Sequence, residues 1–234
     1  YIEHNNCSEW QYDFNKVKLT GYHQFFYDIG GLYHFSNVLD GLSGFTISNK
    51  IYKNDPNKSL NWKIFLFEFF HSFNQGGVAA SNPTPSGPED YYNNYLYKQG
   101  WSYNDEGLGS PLITPYKYAK QGQASMPYAY FINNRVLGFH TGFEGALEDW
   151  DIKLKLSYSI NYGTFQTSPF SRLTGDKYIT RTDNLFKKVN QFSFYGETGK
   201  SLNKGLYASL ITALDQGGLL NNSIGLLIKL RKSI

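Results

Sequence analysis

Between residues 149 and 162 the chain alternates strictly between apolar and polar side chains. The apolar set comprises Trp150, Ile152, Leu154, Leu156, Tyr158, Ile160 and Tyr162. The polar set comprises Asp149, Asp151, Lys153, Lys155, Ser157, Ser159 and Asn161. Because successive side chains of a β-strand point to opposite faces, this segment predicts a strand with one apolar and one polar face. It is longer than the usual soluble strand of about 5–6 residues and long enough to cross a bilayer at a tilt, which takes roughly 9–11 residues.

Less regular alternation predicts further strands along the rest of the chain. They are expected at residues 22–35, 44–53, 60–73, 135–144, 190–200, 205–214 and 224–231. With shorter stretches this gives about nine or ten strands, and no segment shows a helical period. Turn-rich connections between them favour an antiparallel up-and-down meander. Residues 65–70 are apolar on both faces, which predicts that a loop covers the inner face there.

The composition narrows the class of protein further. Aromatic residues make up 18% of the chain and charged residues only 18%, against about 25% charged residues in a typical soluble domain. No apolar run approaches the roughly 18–20 residues of a membrane-spanning helix, which excludes a helical membrane protein. A β-barrel with a lipid-facing outer wall and a soluble, tyrosine-rich all-β protein both fit these numbers. The strand at 149–162 favours the transmembrane barrel.

Charge and cysteine content exclude other classes. A net charge of +3 is too small, and the basic residues too dispersed, to indicate a nucleic-acid partner. The single cysteine, Cys7, excludes an internal disulfide and a cysteine-based zinc site. The chain begins at Tyr1 and shows no signal peptide. We therefore expect a mature or partial polypeptide, with a signal sequence and more of the barrel upstream.

A long stretch at residues 74–127 interrupts the predicted strands. It is rich in Gly, Pro, Asn, Ser and Tyr and does not alternate. Irregular connections of this length are usually functional or disordered, and the many aromatic residues argue against disorder. We expect an extracellular loop that folds over or into the lumen of a single barrel domain spanning residues 1–234. A second irregular stretch, at residues 163–175, is expected to face the same side.

The long loop carries the candidate binding surface. Rings that stack on sugars and polar groups that bind hydroxyls are both concentrated there. The candidates are Asp90, Tyr91, Tyr92, Asn93, Asn94, Tyr97, Trp101, Tyr103 and Asn104, with Tyr95 and Gln99 beside them. The alternative interpretation is that these residues pin the loop inside the barrel, where tyrosine hydroxyls satisfy polar groups of the lumen.

No catalytic constellation is present in the sequence. The five histidines are scattered without metal-ligand spacing, and no pair of carboxylates stands out as a glycosidase pair. Glycine pairs lie in turns and no helix follows them, so they are not phosphate cradles. The sequence therefore predicts a protein that is not an enzyme and that needs no cofactor or metal.

Several short motifs, in order, resemble the Wzi-type capsule assembly family as it occurs in Bacteroidetes. In the long loop they are Asp90-Tyr91-Tyr92-Asn93-Asn94, Tyr97, Gly100-Trp101-Ser102-Tyr103 and Gly107-Leu108-Gly109-Ser110-Pro111-Leu112. Beyond it they are Asn134-Arg135-Val136, Gly142-Phe143-Glu144-Gly145, Trp150, Asn161-Tyr162-Gly163-Thr164, Asn222-Ser223-Ile224-Gly225 and Arg231-Lys232-Ser233. The resemblance covers about residues 70–234.

This resemblance implies a bacterial outer-membrane barrel of about eighteen strands with a lumen occluded by loops, of which the chain is the C-terminal part. It also implies a non-catalytic surface lectin that retains capsular polysaccharide. Its partners would be outer-membrane lipids, surface polysaccharide and other outer-membrane proteins. A structural subunit without a glycan ligand and a solute channel remain alternatives, although the long loop argues against a wide pore. Arg135 and Glu144 are expected to face the lumen.

Overall fold

The computed structural model describes residues 6–26, 31–53, 59–79, 81–83, 86–126, 129–169, 171–173, 185–202 and 205–232. Their fold is almost entirely β. No helix among them is long and apolar enough to span a membrane.

Nine long strands and six short ones account for the regular structure. The long strands are β1 (Asn6–Asp13), β2 (Val17–Phe25), β3 (Gly41–Asn49), β4 (Leu60–His71), β10 (Val136–Leu147), β11 (Trp150–Asn161), β13 (Val189–Ser201), β14 (Leu206–Gly217) and β15 (Ser223–Lys232). The short strands are β5 (Ser81–Pro83), β6 (Ser102–Tyr103), β7 (Glu106–Gly107), β8 (Thr114–Pro115), β9 (Phe131–Asn133) and β12 (Ser171–Leu173). The helical elements are α1 (Gly31–His34) and a 3-10 turn (Tyr116–Tyr118).

The nine long strands form one sheet in the order β1-β2-β3-β4-β10-β11-β13-β14-β15. Every neighbouring pair is antiparallel. The predicted all-β class and antiparallel meander are therefore confirmed, with long insertions after β4 and β11. The sheet is not closed on itself, so β1 and β15 are its two edges.

Several predicted strand boundaries differ from those of the structure, including the strand expected at residues 44–53, which is β3 (Gly41–Asn49). The strand expected at residues 22–35 was wrong in extent, because β2 ends at Phe25 and α1 begins at Gly31. Residues 27–30 lie outside the described residues. Glycine disfavours extended structure, and Gly31 is the first residue of α1. The strand expected at residues 135–144 instead runs to Leu147, where a two-residue turn leads into β11.

The register gives the whole sheet one apolar face, because residues that pair across strands share a face. Its members include Trp10 and Leu19, Phe45 and Ile47, Phe65, Phe67 and Phe69, Phe139 and Phe143, Leu154, Leu156 and Tyr158, Phe192 and Phe194, Leu210 and Leu214, and Ile224, Leu226, Ile228 and Leu230. Within the described strands, the lysines, arginines and carboxylates of this face are Lys200 and Lys232, which lie at strand ends.

The opposite face of the sheet is polar and charged. It carries Glu9, Asp13, Lys18, Glu68, Glu144, Asp151, Lys153, Lys155, Glu197, Asp215, Lys229 and Arg231. Tyrosines on this face reach across glycine to bond with carboxylates. The ring of Tyr22 lies where a side chain at Gly44 would stand, and its hydroxyl donates to Glu68.

The insertion between β4 and β10 packs on the polar face at one end of the sheet. We call residues 72–135, together with 162–169, the cap. Phe70, in register with Gly138 on the polar face, is buried against Tyr91 and Phe131 of the cap. The side chain of Leu112 occupies the space that a side chain at Gly138 would need. The loop predicted over residues 65–70 is therefore found at Phe70, the last residue of that segment.

A second apolar cluster fixes the far side of the cap. Ala124 and Ile132 of the cap pack against Phe186 and Leu219, beside the ends of β13 and β14. The backbone amide of Lys120 donates to the Leu219 carbonyl at 2.7 Å. The cap therefore reaches across the polar face from β4 to the β14–β15 turn. The short strand β12 also pairs with β5, so the two irregular stretches meet as expected.

We predict that Phe70→Ala lowers the free energy of unfolding by about 3–5 kcal/mol, because it leaves a cavity between sheet and cap. The matched control is Phe67→Ala, whose ring lies on the other face and is half exposed. Phe67→Ala should lower the free energy of unfolding much less. Denaturant unfolding measures both. Equal losses would show that the cap does not pack on Phe70.

Candidate functional site

A buried polar tripeptide connects the cap to the sheet. Asn133, Asn134 and Arg135 immediately precede β10 and have no exposed surface. Gly163 lies beside them with a left-handed φ of +84°, a conformation that glycine adopts without strain. Its carbonyl accepts hydrogen bonds from the backbone amides of Asn134 and Arg135, at 3.0 and 2.9 Å. Motif residues far apart in sequence therefore meet at one point.

Asn134 is the most connected side chain of this group. Its amide nitrogen donates to the carboxylate of Asp90 and to the carbonyl of Tyr91, each at 2.6 Å. Its amide oxygen accepts from Gln75 at 2.9 Å. The backbone carbonyl of Asn134 also accepts from the Ser72 hydroxyl at 2.8 Å. The asparagine thus holds the start of the long loop, the segment at Asp90 and the entry to β10 together.

The guanidinium of Arg135 lies between two aromatic rings. It is 5.6 Å from the ring centre of Phe73 and 5.2 Å from that of Phe165. It donates to the Ser86 hydroxyl at 2.7 Å. Burial lowers the pKa of Arg135 to about 10, and the charge of Asp90 opposes that shift. The side chain is therefore still cationic at neutral pH and serves as an interior anchor of the cap.

Asp40, just before β3, is a second anchor beneath the cap. One carboxylate oxygen accepts from the His71 ring at 2.7 Å and from the Asn74 amide at 3.1 Å. The other accepts from the Gln75 amide at 2.6 Å and from the Tyr91 hydroxyl at 2.9 Å. Four donors from two segments therefore converge on one buried carboxylate, which fixes the path of the loop where it leaves β4.

A cleft of about 610 Å³ opens in the cap above these anchors. One group of lining residues is Pro88, Glu89, Asp90, Tyr91, Tyr92, Asn93, Asn94, Tyr95, Tyr97, Gly100 and Trp101. The others are Met126, Ala129 and Gln166. Seven of the nine predicted site residues therefore line one cleft, namely Asp90, Tyr91, Tyr92, Asn93, Asn94, Tyr97 and Trp101.

The polar residues of the cleft are held in place by hydrogen bonds. Asn93 both donates to the Phe131 carbonyl at 2.9 Å and accepts from the Phe131 amide at 3.0 Å. Asn94 accepts from the backbone amides of Leu96 and Tyr97, which fixes the turn that carries the exposed tyrosines. Burial raises the pKa of the Asp90 carboxyl, and hydrogen bonds from Asn134 and Asn93 oppose this shift. These groups are positioned before any ligand arrives.

The aromatic residues of the cleft divide into two sets. Tyr91 and Tyr92 are buried in the core of the cap, and the Tyr92 hydroxyl accepts from the Ser110 amide at 3.1 Å. Tyr95, Tyr97 and Trp101 are 82%, 68% and 39% exposed. The buried tyrosines pin the loop, whereas the exposed rings are available to a ligand. Burial thus agrees with a packing role for Tyr91 and Tyr92, whereas glycan binding by the exposed rings stays a prediction.

Tyr103 and Asn104 lie apart from the cleft. They belong to the small hairpin of β6 and β7, where Asn104 occupies a turn position with φ of 49°. Nearby, Glu106 accepts from the Lys117 ammonium at 2.8 Å and from the Tyr118 hydroxyl at 2.6 Å. These bonds lower the pKa of Glu106, and the bond to Glu106 raises that of Lys117. This hairpin has a surface ion pair and does not extend the cleft.

The two charges expected to face the lumen lie at separate places and do not pair with each other. Glu144, on the polar face near the far end of β10, accepts from the Lys63 ammonium at 2.7 Å and lies opposite Lys153. Arg135 precedes the first residue of the same strand and is buried in the cap. About nine residues of extended chain, at roughly 3.3 Å each, separate them.

Sequence reasoning missed several residues of the site. Gln166 and Met126 line the cleft, and Asp40 and Gln75 hold it from below. None of them lies in an alternating or motif-like pattern. Gln166 could be predicted only from the expectation that residues 163–175 face the same side as the long loop.

We predict that Asn134→Ala lowers the free energy of unfolding by about 1–3 kcal/mol, because it leaves buried partners without a donor or acceptor. Asn190→Ala, the same change at an exposed strand position, is the control and should stay within about 0.5 kcal/mol. Denaturant unfolding followed by tryptophan fluorescence measures both. If Asn134→Ala leaves the free energy of unfolding unchanged, Asn134 does not anchor the cap.

No protein-family model matches the chain, and neither a curated protein nor a solved structure matches it significantly.

Proposed function

We propose that the chain is part of a bacterial outer-membrane β-barrel that binds or anchors surface polysaccharide through its cap. The observation that carries this proposal is the separation of the sheet into an apolar and a charged face over nine strands. A soluble sheet of this size would bury its apolar face against a second layer, whereas described elements cover only the polar face at one end.

In the proposed barrel, the lipid of the bilayer covers the apolar face of the sheet. The apolar face of β15 illustrates the need, since Ile224 is 85% and Leu226 is 70% exposed. The strands that carry this face have nine to thirteen residues, apart from the eight of β1. Tilted strands of about 9–11 residues cross the hydrocarbon core. Outward apolar and inward polar alternation is the pattern of outer-membrane barrels.

The connections between strands suggest an orientation. Residues 14–16 and 148–149 are short turns at one end of the sheet, whereas the cap lies at the other end. Outer-membrane barrels have short periplasmic turns and longer extracellular loops. The cap, with its cleft and exposed rings, is therefore assigned to the outside of the cell, where capsular polysaccharide is found.

The cleft has the composition of a carbohydrate site. Tyr95, Tyr97 and Trp101 offer ring faces to the apolar faces of sugars. Asn94 and Gln166 offer amides to sugar hydroxyls. Part of the family-like pattern supports the same assignment, because Asp90, Asn134 and Gly163, from three of the motifs, meet in the cap that forms the cleft.

A barrel subunit without a glycan ligand is the second candidate, favoured by the two unpaired edges of the sheet. Extraction in mild detergent separates the two, because a structural subunit would migrate with partner proteins and bind no polysaccharide. A wide solute channel is disfavoured, since the cap packs across the polar face from β4 to the β14–β15 turn.

We predict that Leu210→Lys destabilises the membrane-embedded protein by roughly 2–4 kcal/mol, the cost of a lysine facing lipid at mid-depth. The matched control is Ile211→Lys, one residue further along β14 on the polar face and opposite Glu197. It should be close to neutral. Unfolding in lipid vesicles measures both. If the two variants lose equal stability, the apolar face does not contact lipid.

We predict that Trp101→Ala weakens binding of purified envelope polysaccharide about tenfold, which corresponds to 1.4 kcal/mol at 25 °C. Tyr116→Ala, which removes a more exposed ring of the cap outside the cleft, should bind as the unaltered protein does. Binding is measured by calorimetry in detergent. Unchanged binding by Trp101→Ala would remove the cleft from the proposal, and no binding by the unaltered protein would remove the lectin function itself.

A further inference from the structure

The charged residues that line the cleft all carry the same sign. Glu89 and Asp90 lie in its wall, and the described residues of the lining include no lysine, arginine or histidine. Lys98 lies in the turn that carries the exposed tyrosines, but it is not part of the lining. A ligand that enters the cleft therefore meets aromatic rings, neutral amides and carboxylates.

The carboxylate of Asp90 is fixed in the wall as a hydrogen-bond acceptor. One of its oxygens accepts from the side-chain amide of Asn134 at 2.6 Å, and the other accepts from that of Asn93 at 3.2 Å. An ionised carboxylate has about four acceptor sites, so a donor from a ligand can add to these bonds.

Glu89 is positioned by the backbone that follows β4. Its amide donates to the Gly76 carbonyl at 3.2 Å. Its side chain packs over Gly77, where an added Cβ would lie 3.3 Å from Glu89 Cγ and 3.4 Å from Oε1. The side chain is half-buried and lines the cleft. The second carboxylate is therefore also held at the surface that a ligand contacts.

The cation of Arg135 does not make the cleft suitable for an acidic ligand. It attracts Asp90, but its guanidinium has no exposed surface and lies between two aromatic rings. Sites that recognise carboxylates or phosphates present an arginine or lysine to the ligand. An acidic sugar in this cleft would meet two carboxylates and no cation of the described lining.

Rings and carboxylates together stabilise an ammonium group. A cation within about 6 Å of the centre of a Trp or Tyr ring is attracted by the ring face, and a carboxylate adds a charge-assisted hydrogen bond. A ligand that covers Glu89 and Asp90 removes water from both, which costs free energy unless the charge is paired. A sugar hydroxyl donates a hydrogen bond without offsetting the charge, whereas a protonated amine does both.

We propose that the polysaccharide bound in the cleft presents a protonated amine to the carboxylates of Glu89 and Asp90, as an amino sugar does when its nitrogen is not acetylated. The exposed rings of the cleft bind the faces of the same sugars. This inference rests on the glycan-binding function proposed above, and it adds the chemical class of the sugar. The same two carboxylates disfavour an acidic sugar at this position.

Chemical modification of the purified envelope polysaccharide tests the proposal without changing the protein. N-acetylation removes the charge of free amines and leaves the sugar linkages intact, whereas reduction of carboxylates to alcohols removes acidic groups. N-acetylation should weaken binding to the unaltered protein about tenfold, as the loss of a ring-bound and paired ammonium predicts. Carboxylate reduction should leave binding unchanged or strengthen it. Calorimetry measures both. Unchanged binding after N-acetylation, or weaker binding after carboxylate reduction, overturns the proposal.

Glu89→Gln tests the same contact from the side of the protein, because glutamine keeps the shape of the side chain and removes its charge. It should weaken binding of the untreated polysaccharide and leave binding of the N-acetylated one unchanged. The control is Asp105→Asn, which removes an exposed carboxylate of the cap outside the cleft, where asparagine tolerates the φ of 60°. It should bind as the unaltered protein does. Equal losses by Glu89→Gln with both polysaccharides would overturn the contact with an amine.

These outcomes separate this inference from the proposed function. If the unaltered protein binds the untreated and the N-acetylated polysaccharide equally well, the inference fails and glycan binding stands. If it binds neither form, the proposed function itself fails.

Discussion

In the proposed barrel, two requirements govern the fold: every amide and carbonyl in hydrocarbon is bonded within the protein, and side chains alternate with the two-residue period of a strand. Nine antiparallel strands meet the first condition everywhere except at β1 and β15. The register meets the second, because it places apolar residues on one face and nearly all strand charges on the other. A shift of one residue in any pairing would expose that strand's charges on the apolar side. The register of the strands, the solvent at each face and the closure of the sheet are therefore governed by the same requirements.

The cap solves a different problem, which is to order a long polar loop without a large apolar core. It does so with two small apolar clusters, around Phe70 and around Ile132, and with buried polar side chains between them. Asp40 and Asn134 each gather bonds from separated segments, and Arg135 stacks between rings. Buried polar groups cost free energy unless they are bonded, so such a network favours one arrangement of the loop. The exposed rings of Tyr97 and Trp101 are presented by this rigid base.

The sequence predicted the sheet well because strand alternation is local. The segment at residues 149–162 and the observed β11 (Trp150–Asn161) agree within one residue at each end. The loop expected over residues 65–70 packs on Phe70, at the end of that segment. It predicted the site less completely. Seven residues of the loop motif line the cleft, but Gln166 enters from a distant segment and Tyr103 turns away in a hairpin. Which ring is buried depends on tertiary packing. Tyr92 is buried and Tyr95 is exposed, although the two lie three residues apart in the same segment.

The direct test of the central claim is a spin-label scan along β11 in the membrane-embedded protein with Cys7 replaced by serine, with collision rates measured for oxygen and for a water-soluble nickel chelate. Oxygen, which concentrates in lipid, should collide most with labels at positions 152, 154, 156 and 158. The nickel chelate should collide most with labels at 151, 153, 155 and 157, so the two profiles should alternate out of phase with a period of two. Profiles without that period, or nickel access to both sets of positions, would contradict the account.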